Sequence, residues 1–175
     1  HQPKNKEVRP LKDLARESIF NVLAHSNKIS FNLNQSKILD LYAGTGSFGL
    51  ECLSRKAGSV FFIEKEKEAI NILEKNIDKL KIKNKTKIYF NEIFKLVEQD
   101  VLQSKFDLIF CDPPFKDKNT KKLIQLIFYK NLLQKDGIII IHRNKKTKEK
   151  FPDFFRIIEE KIYGISKIIF AKILS

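Results

Sequence analysis

Asp112-Pro113-Pro114-Phe115 closes an apolar run at 106–111, and its residue types are the most chemically specific in the chain. Two successive prolines cannot donate to a strand ladder, so they end the strand and leave carbonyls free above the sheet edge. The exocyclic amine of a nucleobase is a poor nucleophile because its lone pair is delocalised into the ring. Accepting its two N–H protons, one on Asp112 and one on the Pro113 carbonyl, would localise that lone pair toward an electrophilic methyl group. Phe115 could stack on the base face, worth roughly 1–3 kcal/mol per base. Asp112, Pro113, Pro114 and Phe115 are therefore the catalytic candidates.

A second stretch, Leu39-Asp40-Leu41-Tyr42-Ala43-Gly44-Thr45-Gly46-Ser47-Phe48-Gly49, is a strand running into GxGxxG and then into a helical pattern. Such a loop brings backbone N–H groups and a helix N-terminus against a nucleotide, and a dinucleotide site uses the same glycines. Asp40 tilts the choice. A carboxylate at the strand end suits a ligand bearing an ammonium and a sulfonium, namely S-adenosylmethionine, and repels a pyrophosphate. Glu64 ends the next strand, where its carboxylate could accept both ribose hydroxyls. Asn91 closes the third and could meet an adenine amino group. The expected cofactor-binding set is Asp40, Tyr42, Gly44, Thr45, Gly46, Glu64, Asn91 and Asp112. Glu64 also reads as a strand-end charge, and Asn91 as a strand-terminating Asn.

These residues need strands ending at one sheet edge. Short β-branched runs at 37–42, 59–64, 86–91, 106–111 and 137–142 alternate with segments of helical period, the signature of βαβ units and a mainly parallel sheet. Between the second and third runs, Ile70, Leu73, Ile77 and Leu80 form one apolar stripe. A helix is expected over 12–24, with Leu11, Leu14, Ala15, Ser18, Ile19 and Val22 as its buried face and Arg9-Pro10 as its entry. After His142 come a lysine-rich stretch, 144–150, read as a solvated turn or helix start in preference to a dedicated phosphate-binding patch, and two β-like runs flanking Tyr163-Gly164. Strands joined so tightly must be antiparallel. The sheet then has six or seven strands, the last reversed.

The 175 residues bound the chain to one domain, and 42% apolar with 31% charged residues excludes collagen-like and largely disordered classes. No apolar run reaches the roughly 20 residues of a membrane-spanning helix, and no signal segment opens the chain, so a cytoplasmic protein with no membrane partner is expected. Cys52 and Cys111 lie outside any CxxC pattern and are expected to be reduced; no metal is expected. Thirty-four Lys+Arg against 21 Asp+Glu give a net charge of +13, a field that favours RNA or DNA. The excess is nearly all lysine, which a compositional bias would also produce. The chain contains no Met, so its natural start is expected to lie upstream.

Taken together these segments resemble the bacterial 16S rRNA (guanine-N2)-methyltransferases of the RsmD type. The resemblance covers nearly the whole chain. It is carried by Arg9-Pro10 with Arg16-Glu17-Ser18-Ile19-Phe20-Asn21, by 39–49 with Glu51 and Leu53-Ser54-Arg55, by Asp112-Pro113-Pro114-Phe115, and by Glu160-Lys161 with Gly164. It implies a Rossmann-like α/β fold with a seven-stranded, mostly parallel sheet, the last strand antiparallel and helices on both faces. One methyltransferase domain over 1–175 follows, with 1–25 a basic segment and helix packed on the core. S-adenosylmethionine would be the cofactor, ribosomal RNA or the small subunit the partner, and the protein a monomer. Arg9, Lys12 and Arg16 would contact RNA. Leu11 and Lys12 stand where the family has threonines, and Ile141-His142 where it often has Glu. The basic, glycine-containing segment that precedes Arg-Pro in the family is absent.

Three other functions compete. Methylation of adenine N6 or cytosine N4 in DNA would use the same Asp-Pro-Pro-Phe chemistry, but at this length no separate sequence-reading domain is expected after a seven-strand core. An NAD-dependent oxidoreductase leaves that motif unexplained. A non-catalytic RNA-binding protein would bind cofactor without turnover. His25 and His142 are expected to end a helix and a strand, and Cys111 to pack beside the sheet.

Overall fold

The computed structural model describes residues 13–174. In chain order the elements are α1 (Asp13–His25), β1 (Lys37–Leu41), α2 (Ser47–Ser54), β2 (Ser59–Glu64), α3 (Lys67–Leu80), a 3₁₀ turn (Lys83–Lys85), β3 (Thr86–Phe90), α4 (Ile93–Glu98), β4 (Phe106–Cys111), α5 (Thr120–Tyr129), β5 (Leu133–Asn144), β6 (Phe155–Tyr163) and β7 (Ser166–Ile173). The strands form one sheet in the order β3-β2-β1-β4-β5-β7-β6. Pairing is parallel from β3 through β5, and β7 runs antiparallel between β5 and β6. The expected mostly parallel sheet with its last strand reversed is what forms.

Continuous apolar runs in the central strands reflect burial on both faces. Ile38, Leu108, Phe110, Ile138, Ile140, Ile168 and Phe170 face the core under α1, α2 and α3. Their alternate neighbours Leu39, Ile109, Ile139, Ile141 and Ile169 face the core under α4 and α5. Phe48 locks the first layer: its ring stacks on Phe20 of α1 at 5.4 Å and on Phe110 of β4 at 3.9 Å.

Three local expectations are corrected. Leu14 is exposed, because the stripe that α1 turns inward runs Ala15, Ser18, Ile19, Val22 and Leu23, with Phe20 beside it. Leu11 and Lys12 lie outside the described residues. Leu80 is also exposed. The chain reverses at Lys81, which takes a left-handed conformation, with Lys81 N–H on the Asp78 carbonyl and Ile82 N–H on that of Ile77. This pattern of helix ending turns the residue after the reversal back onto the helix, so Ile82 packs against the core in place of Leu80. Finally, β5 spans twelve residues, longer than 137–142 at both ends. Leu133 already pairs with Phe106 across a register shift, and Arg143 and Asn144 pair with β7, so His142 lies within the strand. The lysine-rich stretch after it forms a turn.

Phe48→Ala should lower stability by about 3–5 kcal/mol, the usual cost of truncating a fully buried aromatic ring. Denaturant unfolding checks this: a midpoint unchanged from the parent would mean that α1 and α2 do not share one core.

Candidate active site

The strand order reverses direction between β1 and β4, and ligands of open α/β sheets bind in the crevice beyond the carboxyl ends of strands at such a point. The two motif loops leave the sheet from these two adjacent strands. The loop after β1 needs glycine at two positions. Gly46 has φ +78°, and a Cβ there would come within 2.3 Å of Leu73; at Gly49 a Cβ would lie 2.4 Å from the Phe62 ring. Gly46 therefore answers to conformation and space, Gly49 to the close seating of α2 on β2.

Two carboxylates hold this loop. Asp40 is 1% exposed, and its Oδ2 accepts the Gly49 N–H at 3.0 Å. Glu64 Oε2 accepts the Gly44 N–H at 2.7 Å, while its Oε1 accepts the N–H groups of Lys65 and Glu66 at 2.7 and 2.9 Å. A carboxylate offers about four lone-pair sites, so Glu64 keeps one acceptor direction, on Oε2, for a ligand. Thr45 is buried between Gly44 and Gly46. Tyr42 takes a left-handed φ of 58°, and its hydroxyl lies 3.5 Å from Asp117 Oδ2, a long contact that joins the two loops. Burial raises the Tyr42 phenol above its ordinary range, with nearby Cys111 and Asp117 adding to the effect. Asn91 sits just past β3, and its Oδ1 accepts the Glu92 N–H at 2.8 Å, leaving that oxygen one further lone pair.

Desolvation pushes the Asp40 carboxyl well above the usual carboxylate range, and the charges of Asp112 and Glu64 push it the same way. The Gly49 N–H is the one influence that lowers it. The carboxylates of Asp112 and Glu64 thus act on Asp40, and no basic side chain among the described residues offsets them. A pyrophosphate would worsen that repulsion; a ligand carrying an ammonium and a sulfonium would relieve it. Cys52 and Cys111 are both buried free thiols with pKa values raised chiefly by desolvation, which makes them packing residues.

The acceptor loop is braced from β5. His142 Nδ1 lies 2.8 Å from Asp112 Oδ1, and its Nε2 lies 2.8 Å from Ser166 Oγ. Arg143, fully buried, donates from Nη1 to the Pro114 carbonyl at 3.1 Å and from Nη2 to the Asp117 carbonyl at 2.6 Å, with Nε 2.9 Å from Glu149 Oε1. Phe115 stands edge-on to the His142 ring at 5.5 Å. Sequence reasoning assigned no role to Arg143 or Ser166 and took His142 for a strand end. One signal was available for Arg143: an arginine directly after an apolar strand in a chain whose basic residues are nearly all lysine. Of the RNA-contacting candidates, Arg9 and Lys12 lie outside the described residues, and Arg16 pairs with Asp13 at 2.7 Å. His25 ends α1 as expected.

An open sheet of this order, with a glycine loop under acidic control beside Asp-Pro-Pro-Phe, defines an S-adenosylmethionine-dependent methyltransferase of Rossmann-like fold. The chain belongs to the family described as Conserved hypothetical protein 95, whose model matches residues 1–172. It is 33% identical over 159 residues to ribosomal RNA small subunit methyltransferase D of Haemophilus influenzae, covering 90% of this chain and 79% of that protein. It is 32% identical over 155 residues to the protein of the same name from Buchnera aphidicola, covering 89% and 77%. Among solved structures, a candidate methyltransferase from Escherichia coli superposes with a TM-score of 0.81 at 25% identity, over 96% of this chain and 89% of that one. A candidate methylase from H. influenzae gives 0.78 at 30% identity, over 95% and 100%.

The fold favours the protonated form of Asp40, so this group supports stability below the usual carboxylate range and withdraws that support as pH rises through its elevated pKa. Asp40→Asn should therefore raise the melting temperature of the ligand-free protein near neutral pH, with the gain vanishing in acid. The same change should weaken S-adenosylmethionine binding by about 1.5–3 kcal/mol, the range for hydrogen bonds to charged groups. Melting curves across pH and calorimetry read the two effects, and parallel pH profiles for parent and variant would contradict the assignment.

Proposed function

We propose that this chain, acting as a single cytoplasmic methyltransferase domain, transfers a methyl group from S-adenosylmethionine to the exocyclic N2 amine of a guanine in 16S ribosomal RNA. The observation that carries the reading is the Asp112 carboxylate, held by one oxygen on His142 at the mouth of the β1/β4 crevice and only 20% exposed. Bound S-adenosylmethionine supplies an electrophilic methyl on a sulfonium. Asp40, the Gly44–Gly46 turn and Glu64 would hold it, and Asn91 would reach the adenine.

The remaining chemistry belongs to the acceptor loop. Asp112 offers its second oxygen to one amine N–H. The Pro114 carbonyl is already taken by Arg143 and by the Asp117 N–H, so the neighbouring Pro113 carbonyl is the acceptor for the other. Both contacts localise the nitrogen lone pair toward the methyl. Phe115 stacks on the base and fixes the attack angle. The extra proton on the methylated nitrogen is strongly acidic and leaves after transfer, which requires no histidine base. The names of the relatives support ribosomal RNA of the small subunit as substrate, and guanine N2 follows from the resemblance in sequence.

A basic face flanks the crevice. Lys116, Lys118, Lys121 and Lys122 follow the Asp-Pro-Pro-Phe loop, and Lys145, Lys146, Lys148 and Lys150 follow β5; all eight are exposed. Arg143 ties these two segments together through the Pro114 and Asp117 carbonyls. RNA phosphates laid across both would bring a flipped base to Phe115.

Incubation with labelled S-adenosylmethionine and small ribosomal subunits, total RNA or DNA, followed by nucleoside analysis, should yield N2-methylguanosine from small-subunit RNA. Label found only in DNA would overturn the substrate. Asp112→Ala should leave donor affinity nearly intact and slow single-turnover transfer by about 10²–10³, by analogy with loss of one preorganised polar group. Phe115→Ala should act more mildly. RNA affinity should fall by about 0.7–0.9 log units per phosphate contact for each tenfold rise in salt. Changing Lys116, Lys118, Lys145 and Lys146 to Gln should flatten that slope without altering donor affinity; an unchanged slope would mean that RNA lies elsewhere.

A further inference from the structure

His142 occupies a position on β5 that follows four buried isoleucines, and its imidazole is itself 7% exposed. Both ring nitrogens are engaged at 2.8 Å, Nδ1 with Asp112 Oδ1 and Nε2 with Ser166 Oγ. A neutral imidazole has one N–H and one lone pair, and an ionised Asp112 can only accept. Placing the proton on Nε2 would set the Nδ1 lone pair against a carboxylate oxygen at 2.8 Å. Whether the ring is neutral or protonated, the arrangement therefore has Nδ1–H donating to Asp112, and in the neutral ring Nε2 accepts the Ser166 hydroxyl proton.

We infer that His142, oriented by Ser166, is a positioning residue that fixes the Asp112 carboxylate so that its second oxygen faces the amine. This rests on the reading of Asp112 as the amine acceptor. Asp112 lies on a loop beyond β4, where a carboxylate is otherwise free to rotate about two side-chain bonds. His142 and Ser166 stand on β5 and β7, whose antiparallel ladder places Ser166 opposite Asn144. A loop carboxylate thus takes its geometry from the sheet. The same three residue types in the same order form the triad of many hydrolases, where serine is the nucleophile. Here Ser166 is 2% exposed within the sheet, so it anchors the far end of the chain of hydrogen bonds. The geometry also accounts for Phe115: its edge-on contact with the imidazole orients the stacking ring by the same side chain that orients Asp112.

Substitutions at His142 separate positioning from packing. An Asn amide places N–H close to where Nδ1–H stands, whereas a Gln amide reaches toward the Nε2 position. His142→Leu and His142→Gln should slow single-turnover transfer at saturating RNA by about 10–100-fold, by analogy with groups that orient ligating side chains, with donor affinity and RNA affinity unchanged. His142→Asn should keep most of the rate. A packing role predicts no advantage of Asn over Gln, and the comparison holds if His142→Leu fails to fold. Independently of activity, nitrogen-15 spectra of the ligand-free protein should show His142 as the Nδ1–H tautomer; the chain's three histidines make the assignment tractable. The Nε2–H tautomer, or equal rates for the Asn and Gln variants, would overturn the inference while a slow Asp112→Ala leaves the amine-acceptor reading standing. An Asp112→Ala variant as fast as the parent would end that reading and this inference with it.

Discussion

Carboxylates placed against backbone N–H groups organise the donor side of this molecule. Asp40 and Glu64 each reach from a strand end to a glycine, Asp40 to Gly49 at the start of α2 and Glu64 to Gly44 in the loop before it. Hydrogen bonds from amides stabilise a carboxylate, but burial works against Asp40, and among the described residues no basic neighbour offsets that cost. The result is a loop whose shape is fixed by two acidic groups, of which Asp40 is itself under electrostatic tension. A cation entering the crevice releases the tension, so the interactions that shape the loop also select the sign of the ligand.

The acceptor side is organised in a different way. No glycine is involved: prolines end β4, and the loop after them is held at a distance by β5. Arg143 satisfies two of its carbonyls with the two arms of one guanidinium, a geometry that lysine cannot reproduce. His142 and Ser166 carry the other attachment. Since β7 is the reversed strand, its first residue arrives at the carboxyl edge, and the one departure from parallel order is what delivers Ser166 to the crevice.

Much of this was legible in the sequence, and the reasons can be followed residue by residue. Strand ends announced themselves because glycine and proline have backbone requirements that local pattern reveals, so Asp40, Glu64 and Asp112 were placed at the correct edge. Periodicity named the apolar faces of α1 and α3 but wrongly counted the exposed Leu14 and Leu80 among them, since it does not register where a helix overhangs its sheet or how the chain reverses after it. The length of β5 was hidden by Gln134, Lys135 and Asp136, exposed residues that break the apolar run while the strand continues through them. His142 and Ser166 are 24 positions apart, and their contact depends on the register between β5 and β7, which neither stretch encodes alone. Glu64 was read as a ligand group; its bonds to three backbone N–H groups appear only once the loop has folded over it.

The adjacency of β1 and β4 has a bearing on how the protein comes to be folded. Lys37 and Asp107, at the near ends of these strands, are joined by a hydrogen bond across 70 positions, with α2, β2, α3, β3 and α4 intervening. Closing so long a span costs chain entropy before its contacts repay it, and such non-local parallel pairing is intrinsically slow. The helix that seats the glycine loop packs Phe48 on Phe110 of β4, and Asp112 follows that same strand, so the donor loop and the acceptor loop both depend on β4 docking. Both halves of the crevice therefore come into being with one long-range strand pairing, and a chain in which β4 has not docked on β1 holds neither.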